Sequence, residues 1–178
     1  GPLSKRRFSQ NERSTFGFLG SVENHGFQYF IGNNKAEVLY RLSDLYDYIE
    51  ANLDHLILSS PDARAWSEAK DAVERTQARE KGFVEELIKT VAILNMFGRK
   101  LGIYSTKSVL HAALDEYNAD EIDLSLEKLK QQNLIVYRNH LQSYAVFEGS
   151  DVDIDEELGN ERVKQSNSDE WKKFLETK

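Results

Sequence analysis

Three carboxylates near the end of the chain have a spacing that could serve a metal ion. Asp151, Asp153 and Asp155 alternate with apolar residues, so in an extended backbone they share one face and could attract a divalent cation. A calcium-binding loop has glycine at its sixth position, whereas Glu156 stands there in this sequence. A solvated acidic strand is the alternative, and we predict no metal site.

Other residue types that carry enzyme chemistry lack the necessary spacing. No stretch follows the GxxxxGK[ST] or GxGxxG patterns that hold phosphates, and no GxSxG elbow presents a serine nucleophile. Cysteine is absent, which excludes thiolate chemistry and sulfur-bound zinc. The four histidines are far apart, at His25, His55, His111 and His140. We therefore predict that the chain has no catalytic residues and no cofactor of its own.

The charge balance argues against general affinity for nucleic acid. The 178 residues include 30 acidic and 23 basic side chains, and the formal net charge is −7. Such a field repels polyanions unless the basic residues gather on one face. No apolar run approaches the roughly 20 residues needed to span a bilayer, so we expect a soluble, cytoplasmic protein that does not bind membranes.

Apolar residues in the first half recur with helical spacing. The pattern predicts a short helix between Ser9 and Leu19, a long helix over 39–58 and a mostly solvated helix over 63–81. Between them, the aromatic residues of 27–31 are interpreted as core packing rather than as a ligand cage. This half of the chain is therefore predicted to be a helical, lid-like domain.

Residues 83–150 have the order of a winged helix-turn-helix. The spacing predicts three helices, of which the second ends at Tyr117-Asn118 and the third ends in a left-handed cap at Asn133. Two β-type runs joined by polar residues then predict a hairpin. The predicted fold is mainly α, a helical bundle followed by a winged helix-turn-helix with a small β-hairpin. The predicted segments are a tag remnant (1–4), a helical lid-like domain (5–82), a winged-helix-like domain (83–150) and an acidic tail that could contain a short helix (151–178).

A winged helix suggests DNA binding, because its third helix can enter the major groove. Here that helix carries more carboxylates than lysines, and affinity for a duplex depends on Lys and Arg neutralising phosphates. Carboxylates in a first helical turn also follow from the helix dipole alone. The basic side chains that could still form a small nucleic-acid-binding edge are Lys107, Lys128, Lys130, Arg138 and His140. Protein partners are therefore favoured over nucleic acid.

Four stretches of the chain resemble large bacterial P-loop ATPases of the AAA+ or STAND type, several of which occur in anti-phage defence loci. The stretches are QNERSTFGFL (10–19), LYDYI (45–49), LIKTVAILN (87–95) and SYAVFEGSD (143–151). The resemblance extends over most of residues 8–155. It implies that the helices after Gln10 are the end of an ATPase core and its lid, followed by a winged helix as in origin-recognition-type ATPases.

The resemblance also implies where nucleotide chemistry would take place. The family's phosphate-binding loop and acidic magnesium motif would precede residue 1, so ATP and Mg²⁺ would belong to the parent protein. Arg13 is nominated as a residue near the nucleotide, because an arginine there can stabilise a transferring phosphoryl group. A surface arginine paired with Glu12 is the alternative. We expect a non-catalytic regulatory module that relays nucleotide state to the rest of the ATPase or to other proteins, with a DNA-binding winged helix as the alternative.

Overall fold

Six α-helices and a β-hairpin form the part of the chain that the computed structural model describes, residues 17–34, 38–79 and 82–149. The helices are α1 (Phe27–Asn33), α2 (Leu42–Leu58), α3 (Ala63–Gln77), α4 (Phe83–Met96), α5 (Lys107–Ala113) and α6 (Ala119–Gln131). The strands are β1 (Ile135–Arg138) and β2 (Ser143–Val146), and short 3-10 helices lie at Gly17–Leu19 and Gly98–Leu101. The expectation of a mainly helical chain with a small hairpin is confirmed.

The structure divides into two compact units, of which the first extends to Phe147 and the second begins at Glu148. The predicted helix between Ser9 and Leu19 lies outside the described residues except for its last three, which form the first 3-10 helix. The acidic tail, 151–178, lies wholly outside them. The predicted boundary at residue 82 stays a prediction, and α4, which follows it, packs against α2 and α3, which precede it.

α2 and α3 pack against each other, and the apolar stripe of each is buried. α2 buries Tyr46, Ile49 and Leu53 at spacings of three and four residues, the stripe predicted for 39–58. α3 likewise buries Trp66 and Val73. Both stripes are covered by α4, which contacts each of these helices.

The middle of α4 is buried on all sides. Every residue from Leu87 to Leu94 is buried. A helix can be buried all round only if other elements cover more than one face. Here α2 and α3 cover part of it and β2 packs against another part, so α4 is the element on which the two halves of the chain meet.

Side chains cap the two helices that follow. Thr106 Oγ1 accepts the backbone N–H three residues later, at 3.3 Å, at the start of α5. Asn118 Oδ1 accepts the N–H of Asp120 at 2.8 Å at the start of α6. The prediction that the earlier helix continues to Tyr117-Asn118 is wrong, because α5 ends at Ala113 and Asn118 serves as the N-cap of the next helix.

The hairpin follows α6 after a left-handed residue. Asn133 has φ +52°, which confirms the predicted cap. β1 and β2 pair antiparallel, with Ile135 opposite Val146. The Tyr144 N–H donates to the Ser105 carbonyl oxygen at 3.0 Å, so the segment between α4 and α5 is joined to β2.

The aromatic residues near the start of the described chain form a short helix, α1, that the sequence did not predict. Phe27 and Phe30 pack edge-on against the ring of Tyr40, with centroids 5.5 and 5.2 Å apart. Tyr29 and Ile31 are 43% and 53% exposed. No residue of α1 is fully buried, so the interpretation of this cluster as core packing is wrong. Phe27 and Phe30 are half-buried, because a helix that packs on one side covers residues three apart and leaves those between them outside.

The 3-10 helix after α4 provides a test of this architecture. The Ile103 N–H donates to the Gly98 carbonyl oxygen at 2.9 Å, and a Cβ on Gly98 would overlap the Ile103 carbonyl oxygen. We expect Gly98→Ala to lower the free energy of unfolding by about 1–3 kcal/mol, measured by urea denaturation. Gly20→Ala, where nothing lies within 4 Å, is the control and should change it by less than about 0.5 kcal/mol. Equal losses would contradict the close approach.

Candidate functional site

The outer face of α6 combines carboxylates with an exposed leucine. Ile122, Leu126 and Leu129 of α6 point into the core. Leu124 lies on the opposite side and is 72% exposed. The exposed carboxylates three and four residues away from it complete what we name the α6 acidic surface: Asp120, Glu121, Leu124 and Glu127.

Asp123 borders this surface and binds two side chains of α5. Lys107 Nζ lies 2.8 Å from Asp123 Oδ2, and His111 Nε2 lies 2.9 Å from Asp123 Oδ1. The hydrogen bond from Lys107, with that from His111, lowers the pKa of Asp123 although burial opposes the shift. Lys107 was nominated as a nucleic-acid contact, and its charge is here largely compensated by a carboxylate.

The two lysines at the end of α6 face different directions. Lys128 and Lys130 are two residues apart on a helix, a spacing that does not place side chains on one face. Lys130 lies 3.9 Å from Glu127. Lys128 lines a shallow surface depression together with Arg79. The structure therefore does not align these two lysines as a single edge.

Arg138 and His140 lie on the hairpin. His140 is exposed in the turn between the strands. Arg138, at the end of β1, lines a small depression with Arg99, Asn95 and Tyr104. This depression is separate from the one that Lys128 lines, so the five nominated basic residues occupy at least three places. Their role in nucleic-acid binding stays a prediction.

Two further nominations lie outside the described residues. Arg13, the residue nominated near the nucleotide, precedes residue 17, and the carboxylates at Asp151, Asp153 and Asp155 follow residue 149. Within the residues described, no three His, Asp or Glu side chains are grouped as a metal site would require.

Lys89 is the most deeply buried charge in the described structure. Its Nζ lies 2.7 Å from Asp47 Oδ1 and 2.6 Å from Glu85 Oε1, and 5.7 Å from the centre of the Tyr46 ring. Burial disfavours the charge, but the hydrogen bonds that Lys89 donates to the two carboxylates outweigh it and raise the pKa of Lys89. Such a lysine stays protonated at neutral pH, so it holds α2 to α4 and is unsuited to act as a nucleophile or base.

Arg41 joins the start of α2 to the end of α5. Its Nη1 donates to the Ala113 carbonyl oxygen at 2.8 Å, and its Nη2 lies 3.2 Å from Asp115 Oδ1 and 3.0 Å from Glu116 Oε2. The Arg41 side chain is largely buried. One guanidinium therefore satisfies a helix-end carbonyl and two carboxylates at once, and ties the helical half of the chain to the half that follows α4.

The sequence analysis missed both of these contacts. Arg41 and Ala113 are 72 residues apart, and no local pattern links them. A usable signal existed for Asp123, because Lys107 and His111 are four residues apart and share one face of a predicted helix that precedes an acidic one. Their pairing with a carboxylate of the next helix could have been expected.

Comparison of the chain with protein-family models, with curated proteins and with solved structures finds no match. Among the residues described, no helix has the length and apolar character needed to cross a bilayer.

Two carboxylates four residues apart on α2 should affect stability with opposite signs. Burial raises the pKa of Glu50, so its ionised form costs free energy above that pKa, and the cost vanishes below the ordinary glutamate value of 4.5. The hydrogen bond from Lys70 lowers the pKa of Asp54, so its stabilisation is lost as pH falls from 3.8 through the lowered pKa. We expect Glu50→Gln to stabilise and Asp54→Asn to destabilise at pH 7, the latter by about 1 kcal/mol. Urea denaturation at pH 7 and at acid pH measures both differences, and each should shrink in acid; shifts of the same sign would contradict the assignment.

The Arg41 contacts should depend on the shape of the guanidinium. We expect Arg41→Lys to lower the free energy of unfolding by about 1–2 kcal/mol and Arg41→Met by about 2–3 kcal/mol, because one ammonium cannot reach all three oxygens. Arg75→Met is the matched control: Arg75 makes an exposed ion pair with Asp71 at 3.5 Å and should cost less than about 1 kcal/mol. Urea denaturation measures these losses. Equal losses of unfolding free energy in Arg41→Met and Arg75→Met would contradict the conclusion that Arg41 joins α2 to α5.

Proposed function

We propose that this chain is a non-catalytic regulatory and protein-interaction module of a larger P-loop ATPase, in which lid-like helices precede a winged helix. The order of α4, α5, α6 and the hairpin supports the winged helix. So does the hydrogen bond from Tyr144 to Ser105, which attaches the segment between α4 and α5 to β2 as a third strand would be attached. The ATPase parent, its ATP and Mg²⁺, and a cytoplasmic location rest on the sequence.

The α6 acidic surface is the observation that carries this proposal. In a DNA-binding winged helix this face would meet phosphates, and carboxylates there would be repelled. A basic protein surface, in contrast, would be attracted to these carboxylates. Full burial of an exposed Leu124 is worth about 1.5–3 kcal/mol, which a partner with an apolar site between basic side chains would recover. The face is therefore suited to protein contact.

A relay through the module has a physical route in Arg41. This residue binds the end of α5, and α5 in turn binds α6 through His111 and Asp123. A displacement of the start of α2 would thus act on the helix beside the acidic surface. The ATPase lid proposed from the sequence would contain α2, which makes this joint the place where nucleotide state would reach the docking face.

Peptide binding tests the α6 acidic surface. We expect the chain to bind a fluorescein-labelled amphipathic peptide of lysine and leucine. Glu121→Lys with Glu127→Lys should weaken binding about tenfold, because each reversal changes the interaction by about 0.5–1 kcal/mol in total. Asp71→Lys with Glu74→Lys, at two exposed carboxylates of α3, makes the same change in net charge and should leave the affinity unchanged. Fluorescence anisotropy measures all three chains.

Duplex DNA binding is the competing function, favoured by the order of the elements and by Arg99 and Arg138 in one depression. In the same assay we expect a labelled duplex to bind weakly or not at all. Tight duplex binding that weakens steeply with salt would overturn the proposal in favour of DNA. Equal peptide affinity of the chain with and without the α6 substitutions would also overturn it.

A further inference from the structure

The segment after α4 exposes basic and apolar side chains together. Leu101 is 74% exposed and Ile103 is 44% exposed, and Arg99 and Lys100 beside them are exposed as well. We name these four residues the basic loop surface. Arg138 adds a further positive charge beside it, because it lines the same depression as Arg99.

The backbone holds these side chains outward. The segment turns back at Gly102, which has φ +72°, and is closed by the hydrogen bond from the Ile103 N–H to the Gly98 carbonyl oxygen at 2.9 Å. Gly98 itself is buried against Ile103. Leu101 and Ile103 are thus presented by a closed turn, and covering their exposed apolar area is favourable.

The basic loop surface and the α6 acidic surface are complementary. Each has one strongly exposed leucine, Leu101 in the first and Leu124 in the second. The leucine is flanked by positive charges in the first surface. In the second it is flanked by three carboxylates and, at the fourth position with this spacing, by Lys128. The pair between Lys100 and Asp62, at 3.8 Å with both side chains more than half exposed, is too weak to cancel the charge of Lys100.

We infer that a second copy of this chain is a partner of the α6 acidic surface, and that it docks through its basic loop surface. The inference rests on the proposed function, since it uses the same face of α6. Both surfaces are exposed in one chain, so they do not cover each other within it. The contact closes as a two-fold pair if both surfaces of one copy meet both surfaces of the same second copy, and otherwise it extends to a ring or a filament.

Reversing the charges of each surface tests whether a second copy is the partner. Self-association of the whole chain is measured by sedimentation velocity from micromolar to millimolar concentration. We expect the native chain to self-associate, and either Glu121→Lys with Glu127→Lys or Arg99→Glu with Lys100→Glu to weaken association about tenfold. The chain with all four substitutions keeps the native net charge and should associate as the native chain does. Asp71→Lys with Glu74→Lys on α3 is the matched control and should behave like the native chain.

The outcomes separate this inference from the proposed function. A native chain that stays monomeric at millimolar concentration but binds the lysine–leucine peptide through α6 keeps the function and overturns the second copy as partner. Self-association that the paired substitutions leave unchanged, or that the four substitutions together fail to restore, also overturns it. If the chain is monomeric and binds duplex DNA, and Arg99→Glu with Lys100→Glu abolishes that binding, the basic loop surface binds nucleic acid instead of a second copy. Loss of peptide binding and self-association together overturns both proposals.

Discussion

The burial of α4 on every side is the constraint on which the rest of this fold depends. Residues Leu87 to Leu94 are all buried, and no single partner can cover an entire helix. α2 and α3 supply one cover and β2 another. Within this apolar environment Lys89 stays charged only because Asp47 and Glu85 bring carboxylates to its ammonium. The helices before α4 and the elements after it therefore fold around the same segment.

The sequence predicted most elements because each of them has its own local pattern. The stripes of α2, α4 and α6, the left-handed Asn133 and the hairpin all follow from apolar spacing and turn chemistry. α1 has no such pattern. It is a seven-residue helix with no fully buried residue, and it is too short for its aromatic residues to show a helical periodicity. The end of α5 was misplaced because Asn118 was read as a stop for one helix, whereas its side chain starts the next.

The candidate site was less predictable, because charges choose partners that are distant in sequence. The carboxylates of α6 were recognised as unsuited to phosphates, and the side that carries them is indeed exposed. Two of them, Asp120 and Glu121, lie in the first turn and are also favoured by the helix dipole. Glu127 lies beyond that turn, where it pairs with Lys130 of the same helix. The exposed Leu124 is the residue that helix stability does not account for. The spacing of Lys107 and His111 indicated a carboxylate partner on the next helix, but the choice of Asp123 depends on how α5 packs on α6.

α5 is the element through which a change near α2 could reach the acidic surface. It has only seven residues, and the side chain that anchors it to the core is Leu110. Its ends are held instead by polar contacts, Arg41 at Ala113 and the Thr106 cap. Energetic coupling between two sites requires an intervening element with two arrangements that differ in their contacts. A short helix with little buried apolar surface and a hydrogen-bonded joint at its end changes position at lower cost than α4, whose eight consecutive buried residues would all have to repack. Among the helices that follow α3, α5 is therefore the one that would change position at the lowest cost relative to α4.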